Sequence, residues 1–222
     1  MLNDLIVINK QQQDKKDMTA KQLSSKTCVY LLHGFASAPK YPSDKANALA
    51  AVFELPVKQI AYDSAANFMD NMAQLKTQID VAPHVFVGTS LGGFYANKLA
   101  EFFYSEYTAA SAMLNPCHDP AEMLVNVLGE HINYATDETF IFTEQALVSY
   151  QGVRLMDALI TMPRAMLLNK DDERIDSATT MQLYQDKLRI FSFGHGGHRF
   201  ENIASHEVLS ALKASLESGF AS

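Results

Sequence analysis

The chain has 222 residues, 48% of them apolar and 19% charged, with a formal net charge of −7. This length and apolar share suffice for one buried core without disulfides or metals, and they exclude a long disordered chain. The acidic balance argues against nucleic acid or an anionic membrane surface as the main partner. Two cysteines, Cys28 and Cys117, make no disulfide framework, which fits a reducing compartment. The longest N-terminal apolar run, Leu5-Ile6-Val7-Ile8, is too short for a signal core or a membrane span, so a cytoplasmic protein without membrane insertion is expected.

Residues 1–26 read as a polar arm or linker, rich in Gln, Lys, Asp and Ser from residue 10 onward. From residue 27 the chain alternates strand, loop and helix. Cys28–Leu32 is a continuous apolar run ending at His33-Gly34, as a strand covered on both faces would be. Ser43 is placed to cap a helix running through Lys45 to Phe53. A strand over Val57–Ala61 and a helix over Ala65–Ile79 follow. Val85-Phe86-Val87 runs straight into Gly88, and a helix is expected from Leu91 to Phe103.

Ala112-Met113-Leu114 is the next strand. Asp119-Pro120-Ala121-Glu122 is a helix start, with Asp as cap and Pro at the first helical position. Residues 129–155 fit the alternation poorly and read as a short lid-like insertion carrying Tyr134, Phe140, Phe142 and Tyr150. A strand at Ala165–Leu168, a helix near Ser177–Leu188, a strand at Arg189–Phe193 and a helix at His206–Leu216 complete a single domain over 27–222. Strands alternating with helices imply a mostly parallel sheet covered on both faces, with the working residues beyond the strands' carboxyl ends.

Gly88-Thr89-Ser90-Leu91-Gly92 matches the nucleophile-elbow pattern and lies between a strand and a helix, as that mechanism requires. Such a turn exposes a serine hydroxyl above the sheet, with glycines where a Cβ would clash. The bare pattern also arises by chance, Ser90 then merely capping the helix. A serine hydroxyl needs a base to take its proton, and in this topology acid and histidine follow in that order on later loops. The acid loop is Asn169-Lys170-Asp171-Asp172-Glu173; the histidine loop is Gly194-His195-Gly196-Gly197-His198-Arg199-Phe200.

Within these loops His198 is favoured over His195, because it follows the glycines and precedes the anchoring Phe200. Asp172 is favoured over Asp171 and over Asp176, which suits a helix cap. The backbone N–H of Leu91 is expected to bind an oxyanion, with Phe35 as second donor and Ala36 as the alternative. His33 is expected to tie down its own loop. His118 is a candidate for the substrate pocket. No histidine set has convincing metal-ligand spacing and no phosphate-binding glycine loop is present, so no metal or cofactor is expected.

Taken together, Tyr30-Leu31-Leu32-His33-Gly34-Phe35, residues 88–95, Asn115-Pro116, Asp172-Glu173 with Asp176, and residues 198–203 resemble the small bacterial α/β-hydrolase esterases of the YqiA/YcfP type. The tail from His198 is most similar to the YcfP branch. The resemblance covers about Val29 to Leu212. It implies a minimal α/β-hydrolase fold, carboxylesterase-type activity on small or acyl esters, and Ser90, Asp172 and His198 as the triad. The polar arm is longer than the family needs. Some YcfP-like members have lost the elbow serine; this chain keeps it.

The expected function is therefore a serine carboxylesterase or thioesterase whose partner is a small-molecule ester or thioester. A peptidase would differ only in substrate. The rival reading is a non-enzymatic binding or scaffold protein on the same fold.

Overall fold

A computed structural model describes residues 27–80, 84–104, 109–157 and 159–220; the polar arm and the Leu5–Ile8 run lie outside them. The apolar runs become β1 (Cys28–Leu32), β2 (Val57–Ile60), β3 (His84–Thr89), β4 (Ala109–Leu114), β7 (Arg164–Asn169) and β8 (Arg189–Phe193) of one sheet. Its order is β2-β1-β3-β4-β7-β8, and every pairing is parallel. Alternate residues of the central strands serve two separate cores, which is why β1 is a continuous apolar run. Tyr30, Leu32, Phe86, Met113 and Met166 face one core, with Phe94 and Leu99 of a helix. Val29, Leu31, Val87, Ala112 and Leu167 face the other, with Leu49, Val208 and Leu212.

The first core is covered by α2 (Phe68–Lys76), α3 (Leu91–Tyr104) and α6 (Ser177–Tyr184); the second by α1 (Asp44–Phe53) and α7 (His206–Phe220). The expected caps are in place. Ser43 accepts from Ala46 N at 3.2 Å, Asp119 from Glu122 N at 3.1 Å, and Asp176 from Ala178 N at 3.0 Å. Asp119 thereby starts α4 (Pro120–Met123) with Pro120 in its first turn. The second helix is shorter than expected, because Asn67 caps it at Phe68.

Residues 129–155 break the alternation by leaving the sheet. They form an antiparallel hairpin, β5 (Gly129–Ile132) with β6 (Thr139–Phe142), followed by the short α5 (Glu144–Val148). Phe142 and Tyr150 are core residues; Tyr150 Oη lies 2.6 Å from Tyr95 Oη and fastens the insertion to α3. Among the described residues, no helix is long and apolar enough to cross a membrane.

Away from the strands' carboxyl ends, Glu101 of α3 holds two cations. Arg164 Nη1 lies 3.2 Å from Glu101 Oε1, Lys98 Nζ contacts Oε2, and Asp157 N donates to Oε1 at 2.7 Å. The Glu101 and Arg164 side chains are 6% and 5% exposed. Removing the acid strands a guanidinium in a dry site, which costs more than the pair itself contributes. Glu101→Leu is expected to lower unfolding free energy by about 3–5 kcal/mol, measured by urea denaturation.

Candidate functional site

The chain reverses direction across the sheet between β1 and β3: β2 lies to one side, and β4, β7 and β8 to the other. Ligands of open parallel sheets collect above such a switch point. Ser90 stands there, one residue beyond β3, with φ +58°, a left-handed conformation costly for a residue with a Cβ. Its backbone is pinned: N donates to Leu114 O at 3.0 Å, and O accepts from Gly93 N at 2.9 Å and Cys117 N at 3.0 Å. The flanking glycines are forced by contact. A Cβ on Gly88 would lie 2.1 Å from Gly92 O, and one on Gly92 would lie 2.2 Å from His33 O.

The acid and histidine loops meet beside this turn. His198 Nδ1 lies 2.9 Å from Asp172 Oδ1 and 3.0 Å from Oδ2. The Asp172 side chain is 1% exposed, and its Oδ1 also accepts from Arg174 N at 2.8 Å and Ile175 N at 2.9 Å. Three donors on one buried oxygen set the carboxylate's orientation. Its neighbours bind the same loop elsewhere. Asp171 accepts from Gly196 N and Gly197 N, which holds its carboxyl below the usual range, and Glu173 accepts from His198 N at 3.0 Å with the same effect. His195 is exposed, and Asp176 is occupied as the cap of α6. The structure thus brings His198 and Asp172 together and leaves His195 and Asp176 out.

Three asparagines brace the histidine loop from below, a feature the sequence analysis did not assign. Asn115 Nδ2 donates to Gly197 O at 2.9 Å, and its Oδ1 accepts from Asn169 N at 2.8 Å. Asn169 and Asn202 exchange side-chain hydrogen bonds, and Asn202 Nδ2 donates to His195 O at 2.6 Å. Asn115 and Asn169 are fully buried. For Asn115 and Asn169 the signal available was a position immediately after, or at the end of, a strand; Asn202 follows β8 by nine residues and carries no such signal.

A cavity of about 1090 Å³ opens over these residues. Ser90, His198, Phe35 and Ala36 line it, whereas Asp172 and Leu91 lie behind its wall. His118 is not among the lining residues; its ring stands 6.0 Å from Tyr184, and the neighbouring Cys117 lines the cavity instead. Cys117 faces inward because its own N–H is tied to Ser90 O. Of the aromatics in the insertion, Tyr134 lines this cavity, while Phe142 and Tyr150 are spent on the core. Among the described residues, no hydrogen bond joins Ser90 to His198.

The two N–H groups expected in the β1 loop differ in availability. Ala36 N donates to Ser64 Oγ at 3.0 Å, so it is engaged. Among the described residues, none accepts from Phe35 N, and Leu91, first in α3, has no intrahelical acceptor. The hairpin grips this loop: Tyr134 N donates to Ala36 O at 2.9 Å, and the Phe35 ring packs edge-on against His131, Phe140 and Phe142.

His33 ties down the same loop. Its Nδ1 donates to Gly34 O at 2.9 Å, its Nε2 accepts from Tyr62 N at 3.3 Å, and the two rings stack at 4.3 Å. These partners fit the neutral ring, and burial pushes its pKa down to about 4.

A family model described as the uncharacterised protein family UPF0227 matches residues 27–214. No curated protein sequence matches the chain. Solved structures that share its fold include the following three. Est1E from Butyrivibrio proteoclasticus is 13% identical, covering 88% of this chain and 89% of that one, with a TM-score of 0.68. The esterase domain of a Rhodothermus marinus protein is 18% identical over 90% of each chain, with a TM-score of 0.62. Mouse alpha/beta hydrolase domain-containing protein 10 is 14% identical over 86% of this chain and 88% of that one, with a TM-score of 0.59. The fold is that of the α/β-hydrolases.

The folded His33 binds its proton less readily than the unfolded chain does. Its stabilising contribution is therefore complete above about pH 6.5 and is lost as pH falls toward 4, roughly 2–3 kcal/mol in all. His33→Gln is expected to flatten that part of the stability profile, by up to one proton's worth of slope, in urea titrations between pH 4 and 7.

Proposed function

Because the chain belongs to protein family UPF0227, whose model spans residues 27–214, and carries the hydrolase fold, we propose that it is a serine esterase. The observation that carries this reading is the Asp172–His198 pair, 2.9 Å apart on the wall that also holds Ser90 in its left-handed turn. A structural serine has no need of that backbone conformation, and a structural histidine has no need of so buried a carboxylate.

In the proposed reaction Ser90 Oγ attacks the ester or thioester carbonyl while His198 Nε2 takes its proton. Negative charge collects on the carbonyl oxygen, where the N–H groups of Leu91 and Phe35 receive it. His198 then returns the proton to the departing alcohol or thiol, leaving an acyl group on Ser90. A water, deprotonated by His198, attacks this acyl-enzyme and releases the acid. Asp172 keeps the proton of neutral His198 on Nδ1 and stabilises the imidazolium without accepting a proton. The Ser90–His198 contact of this reaction is of the kind that tightens around substrate.

The apolar part of the cavity, formed by Phe35, Cys117, Met123, Leu124, Val127 and Ile175, suits an acyl chain better than a peptide backbone, which would need polar partners along its length. The hairpin at 129–142 serves as the lid, its Tyr134 closing the mouth under the Arg199 guanidinium 5.6 Å away.

A fluorophosphonate probe should label the protein, and Ser90→Ala should abolish that labelling. Absence of labelling between pH 6 and 9 would sink the enzyme reading and favour a binding protein on a hydrolase fold. Asp172→Asn should lower kcat on p-nitrophenyl acetate by roughly 10²–10⁴-fold, since the imidazole then loses both its tautomer and its counter-charge. Steady-state kinetics on the folded variant checks this.

A further inference from the structure

Lys45 occupies a place that electrostatics alone disfavours. It lies in the first turn of α1, where the helix dipole is positive, and it is half-buried. Burial pushes its ammonium down to about pH 8, with only the charge of Glu201 opposing the shift. Among the described residues, it forms no ion pair. A cation kept under these conditions must be held by something specific.

Two hydrogen bonds hold it. Nζ donates to Thr89 Oγ1 at 3.0 Å and to Arg199 O at 2.7 Å. Thr89 immediately precedes Ser90 in sequence, and Arg199 immediately follows His198. The two peptides come from opposite halves of the chain and from β3 and the loop after β8, strands separated in the sheet by β4 and β7. The braces described above act from the other side: Asn115 and Asn169 hold Gly197, and Glu173 and Asp172 hold His198. None of those bonds reaches the elbow's side chains. Lys45 is the group that spans from one loop to the other on the cavity face, and it lines the cavity itself.

We propose that Lys45 is a positioning residue for the Ser90–His198 pair, its ammonium clamping the hydroxyl of the residue before the serine to the carbonyl of the residue after the histidine. The inference rests on the esterase reading above. Without the clamp, the histidine loop keeps its asparagine and carboxylate supports, Asn115 Nδ2 on His198 O at 3.2 Å among them, but loses its direct tie to Thr89 on the cavity face and with it one restraint on its distance to the elbow. The open Ser90–His198 leg is the coordinate that this distance controls.

The test is Lys45→Met, an apolar chain of similar length, assayed on p-nitrophenyl acetate and with a fluorophosphonate probe. A misplacement near 1 Å can cost up to about 10²-fold, so kcat and the labelling rate should fall roughly 10–100-fold, with KM within about threefold of the parent. Removing a half-buried cation should leave Tm unchanged or raised, whereas a merely structural lysine would lower Tm and leave kcat per folded molecule intact. Lys45→Arg should recover part of the loss. Thr89→Val removes one anchor from the other end, and the double variant should be no slower than Lys45→Met alone.

A folded Lys45→Met protein that keeps kcat within twofold, or single losses that multiply in the double variant, overturns the clamp while the esterase reading stands. A parent protein that neither labels nor hydrolyses overturns the esterase reading, and the clamp with it.

Discussion

The turn at residues 88–92 closes only because two positions carry no side chain. With Gly92 against the carbonyls of Leu32 and His33, and Gly88 against Gly92 O, α3 can start directly on top of the gap between β1 and β3. Everything else at the site is arranged around that contact. The β1 loop is brought to the elbow by it, the hairpin is hung on that loop through Ala36 O, and the later loops are built up to meet Ser90. A single methylene in either place would push α3 off the sheet and dissolve the arrangement, however well the remaining residues were preserved.

Carboxylates beside the histidine divide their work by geometry rather than by residue type. Asp171, Asp172 and Glu173 are consecutive acids, yet only the middle one reaches the imidazole; the outer two cap backbone N–H groups of the facing loop. The pattern is physically economical. A glycine-rich loop has unsatisfied donors, and anions set opposite them order it without filling the cavity with side chains.

The sheet and its caps were legible because their causes are local. Continuous apolar runs, Ser43, Asp119 and Asp176 each specify an element from within a few residues, and β8 falls on the very residues read as a strand. The Ser90, acid-loop and histidine-loop positions were legible because topology ties each to a strand end. The hairpin was not. Ile132 and Ile141 point outward and are exposed, so apolar residues occur on both faces and the period-two signal is lost. The asparagine braces and Lys45 were also hidden, since, apart from Asn202 on His195, their partners lie 28 to 154 residues away. Proximity to a strand end likewise does not say which of two adjacent side chains turns inward, and it is Cys117 that lines the cavity beside His118.

The order in which the site's parts appear along the chain also has a consequence for how the molecule matures. Ser90 and the β1 loop belong to the first half, while the Asp172–His198 pair arrives with β7 and β8, the last strands and one margin of the sheet. A chain still missing that margin can hold a cavity wall and a strained serine, yet it lacks the Asp172–His198 pair. Under the proposed esterase reaction, the hydroxyl then stays inert until that margin has docked. Under that proposal, recovery of reactivity during refolding times the docking of β7 and β8 rather than the formation of the first-half core.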